Sequence, residues 1–177
     1  LGSAQVAALT TAQVASLATE DLNALTTSQF TALTTAQIAN LTTHQVSSLE
    51  TADLAALTSA QIRAFTTVQV GVLTTDEVTA LGTAQIAALT PAQVAAFGTD
   101  DFQALSTLHF STFSSTQVAA FTTAQVAALE TADLAVIGTS AIHGFTTAAM
   151  AALTSDAIVA LDSTQFMALT TTQLRAI

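Results

Sequence analysis

The chain contains no cysteine, tryptophan, tyrosine or lysine, and only one proline and six glycines among its 177 residues. Without cysteine it can form no disulfide, no thiolate nucleophile and no thiolate metal site. Charge is scarce as well. Only 8% of residues are charged, against about 25% in ordinary domains. Two arginines face twelve acids, for a net charge of −10. A basic surface for nucleic acid or an anionic membrane is thereby excluded, and no nucleic-acid partner is expected. Long apolar runs are missing too, although 51% of residues are hydrophobic and mean hydropathy is +0.60. Threonine and glutamine interrupt every stretch well before the ~18 apolar residues that a membrane span needs, so no membrane insertion is expected. The chain does not open on a secretory signal pattern, and we expect it to be a segment of a longer protein.

What is present is a period of eight. The length equals 1 + 22 × 8, and an apolar residue recurs at every eighth position from Leu1 to Ile177. With that residue as position 1, the consensus octad is Leu-Thr-Thr-Ala-Gln-Val-Ala-Ala. Position 6 is always Val, Ile, Leu, Phe or Met; position 3 is Thr or Ser except at Pro91; position 5 is Gln in 13 of 22 octads and Asp or Glu in five more. No insertion breaks the register, which identifies a tandem-repeat array rather than an ordinary globule.

Thr-Thr-Ala-Gln has the form of a capping box, with the position 2 Thr as N-cap and the position 5 Gln as N3. Pro91 then falls at N1, the helical position that tolerates proline best. The Ala-Gln-Val-Ala-Ala-Leu that follows favours helix, apart from its Val. Each octad is therefore expected to be one helix of about six residues followed by a tight turn. Charge placement agrees: all twelve acids occupy positions 2, 4 or 5, while Arg63 and Arg175 occupy position 7, as the helix dipole favours. One continuous helix would drift by ~80° per octad and gives the Thr pairs no role. A β-solenoid would need period-two alternation, which is absent.

So short a helix cannot stand alone, because nucleation costs more than its few bonds return. Neighbouring octads must supply the burial, which is the logic of a solenoid. Acids at positions 4 or 5 mark octads 3, 7, 10, 13, 17 and 20, with gaps of 4, 3, 3, 4 and 3. A mark that returns every three or four octads implies about 10/3 octads per superhelical turn, by the same mismatch that makes heptads from a 3.6-residue helix. The expected fold is all-α: a superhelix of very short helices with octads 24 or 32 residues apart stacked ~8–10 Å from each other, a rod of roughly 55–65 Å overall. Asp53 should then lie beside octads 3 or 4 and 10, near Asp21 and Glu77. Residues 1–177 read as one array, with residues 81–160 repeating 1–80 and 161–177 left over. Glu50-Thr-Ala-Asp-Leu matches Glu130-Thr-Ala-Asp-Leu, Phe30 matches Phe110, Arg63 matches His143 and Phe65 matches Phe145.

No catalytic, cofactor-binding or metal-binding residue is assigned. His44, His109 and His143 fall at positions 4, 5 and 7 of distant octads, read as surface drift rather than convergent ligands. Glu20-Asp21, Asp76-Glu77 and Asp100-Asp101 are pairs, and stacking could align Asp53, Glu77 and Asp101 into a ladder attractive to Ca²⁺; helix N-terminal stabilisation accounts for them without an ion. Hydroxyls abound, but no base is placed to activate one. Phenylalanine occupies only positions 1 and 6, the expected core. An enzyme is not expected, nor is any cofactor.

The octad Leu-Thr-Thr-Ala-Gln-Val-Ala-Ala resembles those in long repetitive regions of bacterial, especially proteobacterial, secreted or surface proteins of adhesin or exoprotein type. The resemblance covers the whole chain and carries no functional residue with it. It implies a non-catalytic stalk or spacer, extracellular or at the cell surface. The alternatives are a protein- or surface-binding module using the variable outer positions 4 and 7, ice binding by Thr rows, or weak Ca²⁺ binding. Ala141, Ala149 and Ala157 at position 5 depart from the capping box.

Overall fold

Each octad gives one or two corner residues to extended backbone, four to six to a helix and any remainder to a tight turn. The computed structural model describes all 177 residues as 22 α-helices, one per octad, from α1 (Ser3–Ala7) to α22 (Thr171–Leu174), with no strand. Every helix opens at position 3 and runs four to six residues. The N-cap residues are extended, Thr34 for example at φ −72°, ψ 157°. The last turn tightens, position 1 N–H donating to the position 6 carbonyl, as from Leu33 to Phe30 at 3.1 Å and Leu57 to Leu54 at 3.2 Å. No residue has positive φ, so the corner needs no left-handed glycine and six glycines suffice.

The chain forms two compact units, Leu1–Ala88 and Leu89–Ile177. In the first, α5 (Thr35–Ala39) packs between α2 (Thr11–Ala15) and α8 (Ser59–Ala64), and α7 (Thr51–Ala56) between α4 (Thr27–Phe30) and α10 (Thr75–Ala80). The second repeats the rule: α17 (Thr131–Val136) lies between α14 (Thr107–Phe110) and α20 (Ser155–Ala160), and α18 (Thr139–Ile142) between α15 (Ser115–Val118) and α21 (Ser163–Ala168). Partners are three octads apart, so the 24-residue register of the sequence reading is the one that helix packing uses. The 32-residue register does not organise helix pairs; the fourth octad back enters through side chains, as described below.

The core consists of positions 1 and 6. Phe30, Ile38, Leu54, Val78 and Ile86 of the first unit and Val94, Phe102, Val118, Leu134 and Ile142 of the second have no exposed surface. Phe166, at position 6 of octad 21, is the aromatic exception at 47% exposed. In the second unit Phe121 meets Phe102, Phe113 and Phe145 edge-on, with ring centroids 4.9, 5.1 and 6.1 Å away. Such pairs add about 0.5–1.5 kcal/mol each beyond area burial. Position 8 is normally Ala, but octad 18 carries Gly144, where an added Cβ would lie 2.0 Å from the Ser115 carbonyl oxygen. Here α18 sits too close on α15 for any side chain.

Two expectations follow from this packing. Phe121→Ala should cost about 3–5 kcal/mol in chemical denaturation, because three rings lose their neighbour at once. Gly144→Ala should destabilise as well, although Ala is the usual residue at position 8, and a neutral result would show that α18 and α15 can move apart freely.

Candidate functional site

The polar residue that the fold repeats most regularly is the position 5 glutamine, and it is buried. Gln37, Gln45, Gln61 and Gln69 of the first unit are 1–3% exposed. At N3 each side-chain oxygen closes a capping box: Gln61 Oε1 accepts from the Thr58 backbone N–H and from the Thr58 hydroxyl, both at 2.9 Å, while Thr58 Oγ1 accepts from the Gln61 N–H at 3.3 Å.

The amide end of the same side chain crosses to the preceding turn. Gln61 Nε2 donates to the carbonyls of Phe30 at 3.0 Å and Leu33 at 2.8 Å, 31 and 28 residues earlier. Gln37 reaches Val6 and Leu9, Gln45 reaches Val14 and Leu17, Gln69 reaches Ile38 and Leu41, and Gln85 reaches Leu54 and Leu57. In the second unit Gln125, Gln165 and Gln173 do the same with Val94 and Phe97, Leu134 and Ile137, Ile142 and Phe145. The two acceptors are position 6 of the fourth octad back and position 1 of the third. One side chain thus caps its own helix and stitches it to the boundary between two earlier octads. Gln5 and Gln13, with no octad four places before them, make only the capping bonds and are exposed.

Smaller stitches lie outside this row, 25 residues apart. Asn23 Nδ2 donates to the Ser48 carbonyl at 2.6 Å, and Gln103 Nε2 to that of Ala128 at 3.1 Å. Both occupy position 7, an outer surface position by the octad pattern; a polar side chain there reaches the next turn. Ser3 and Ser59 at position 3 likewise donate to Ser28 and Ala84.

The histidines separate. His44 and His143 are exposed, as expected for surface positions. His109 is not: it is 7% exposed, and its Nδ1 accepts the Ser106 N–H at 3.2 Å, replacing the capping oxygen of glutamine. Its position 5 placement, not its chemistry, buries it. No three histidine or acid side chains converge to hold a metal ion. The acids at position 5 are not uniformly surface groups either. Asp53, Glu77 and Asp133 are 2–5% exposed, whereas Asp21 lies open. Burial, then repulsion from Glu50, raises the Asp53 carboxyl above its ordinary value. Burial, then Glu130, pushes Asp133 up to about 6. Asp162, an exposed N-cap, is held below the usual range by hydrogen bonds from the Thr164 hydroxyl and the Gln165 N–H at 2.6 and 2.8 Å.

The stitched octad is the unit of a known repeat. A model of the ALTTAQ repeat matches residues 14–51, 46–83, 94–131 and 126–163. The chain belongs to the ALTTAQ repeat family. No curated protein matches the sequence. In this chain the position 2 threonine supplies the cap and the position 5 glutamine the stitch. No helix is long and apolar enough to cross a membrane.

The sequence contained one signal for this row: glutamine rather than glutamate dominates N3. A capping box accepts either, so the preference points to a use for the amide N–H groups. Gln61→Glu keeps the cap and loses both donors to Phe30 and Leu33; it should cost about 1–3 kcal/mol in urea denaturation. Gln13→Glu, which loses no stitch, should stay within about 0.5 kcal/mol.

Proposed function

We propose that the ALTTAQ array is a non-catalytic spacer, an extended segment of a secreted or cell-surface bacterial protein of adhesin-like type. The observation that supports this reading is that, within each unit, the buried glutamine octads repeat the same bonds to the third and fourth octads before them. Length can then be added without redesign of the interface, because stability is a nearest-neighbour sum. The position 2 Thr hydroxyls and the buried position 5 Gln amides that could otherwise serve a ligand are engaged in caps and stitches. An acidic chain without cysteine or lysine suits an extracellular location, where thiol oxidation would otherwise be a liability.

A spacer should respond to the number of octads and not to their identity. Removal of Leu33–Ala56, three whole octads, should leave the helical circular dichroism intact and shorten the maximum dimension in small-angle scattering by about 8–10 Å, one helix-packing distance. Removal of twelve residues breaks the octad and should lose helicity. If the in-register deletion leaves the maximum dimension unchanged, the array is not an extended spacer. Labelling of the parent protein on intact cells tests the location, and labelling only after lysis would overturn it.

A further inference from the structure

Of the five octads with an acid at position 5, two bury an aspartate there, one methylene too short to copy the glutamine. Asp53 and Asp133 sit at position 5 of α7 and α17, 80 residues apart, and are 4% and 5% exposed. By the register that the glutamines follow, Asp53 faces the carbonyls of Leu22 and Leu25, and Asp133 those of Phe102 and Leu105. Those of Leu22 and Phe102 accept backbone N–H bonds from Leu25 and Leu105, but those of Leu25 and Leu105 accept no hydrogen bond. In the glutamine octads the matching position 1 carbonyl takes an Nε2–H at 2.7–3.0 Å.

The same octads lose the capping box. Their N-caps are Glu50 and Glu130, neither of which makes a side-chain cap bond. A carboxylate at position 5 beside a carboxylate at position 2 and a carbonyl from the turn below is an arrangement of acceptors only.

We propose that Asp53 and Asp133 are acid-tightened stitches: each binds a proton and, as the carboxylic acid, donates to the Leu25 or Leu105 carbonyl in place of the glutamine amide. The side chain is shorter than glutamine by one C–C bond, about 1.5 Å, so closing the bond draws α7 toward α4 and α17 toward α14. As the carboxylate, the same group repels both the carbonyl oxygen and its N-cap glutamate.

The surrounding charges favour the proton. Around Asp53 the titratable groups are Glu50 on its own octad and Asp76 and Glu77 on α10; α4 has none, and Glu20 and Asp21 belong to the octad before it. Around Asp133 they are Glu130, Asp156 on α20 and His109 on α14, with Asp100 and Asp101 in the octad before α14. All but His109 are acids. Both aspartates are shifted upward, Asp133 to about 6. A carboxyl raised in the folded state contributes stability that is complete below its unfolded pKa of about 3.9 and is lost as pH rises through the folded value.

The test compares thermal melting of the full chain at about pH 5 and about pH 7.5 with that of Asp53→Asn/Asp133→Asn and Asp53→Gln/Asp133→Gln. The parent should melt at least about 3 °C higher at the acid pH. The Asn pair, with a permanent donor, should lose most of that difference, and the Gln pair should melt higher than the parent at about pH 7.5. Whatever slope the remaining acids contribute persists in all three chains and cancels. An equal acid gain in the parent and the Asn pair would overturn the proposal. So would a calcium-dependent rise in melting temperature at about pH 7.5 that the parent shows and the Asn pair lacks, because a cation rather than a proton would then fill the site.

Discussion

Everything in this array depends on one side chain having both an acceptor and a donor end. The position 5 carboxamide takes the N–H at the start of its own helix and gives its own N–H groups to two carbonyls of the preceding turn. Glutamate supplies only the first half and alanine neither. A helix of four to six residues leaves most of its backbone polar groups without intrahelical partners, and a buried carbonyl without a donor costs about 1–3 kcal/mol. The glutamine answers both shortages at once, so local capping and superhelical packing are a single event.

The apolar positions do the rest by repetition. Positions 1 and 6 bury nearly completely from Leu33 to Leu153, and the helix-to-helix register of three octads recurs within each unit. Departures from the consensus are therefore local. Ala141, Ala149 and Ala157 fill the stitch position at 1–3% exposure without a polar atom. Thr146 and Thr154 still cap their helices there, while the turn-to-turn bonds are lost. In octad 18 the missing amide coincides with Gly144 pressed against the Ser115 carbonyl: small residues at positions 5 and 8 let the backbones themselves approach. The Phe102–Phe121–Phe145 contacts carry apolar packing through this same weakly stitched region.

Acids read as one class in the sequence and act as three in the fold. Asp162 is a conventional exposed cap. Asp21 stays in solvent at the first turn of its helix. Asp53, Glu77 and Asp133 lie inside the stitch row. Position within the octad does not separate Asp21 from Asp53, because both are N3 residues. What separates them is whether an octad stands four places earlier to cover the side chain.

The octad, the short helix opening at position 3, the threonine caps, Pro91 at N1 and the core at positions 1 and 6 are legible in the residues alone, because each depends on contacts within eight residues or on a period that needs no partner to be seen. The 4, 3, 3 spacing of the acids narrowed the superhelix to three or four octads per turn. Packing between turns adds that helices stack on the third octad while the glutamines reach into the fourth, that His109 is buried, and that Asn23 and Gln103 bridge turns from an outer position. A capping box looks the same whether its amide end meets water or a carbonyl 28 residues away. Which of the two it meets depends on superhelical geometry, and that is set by the fit of side chains between turns.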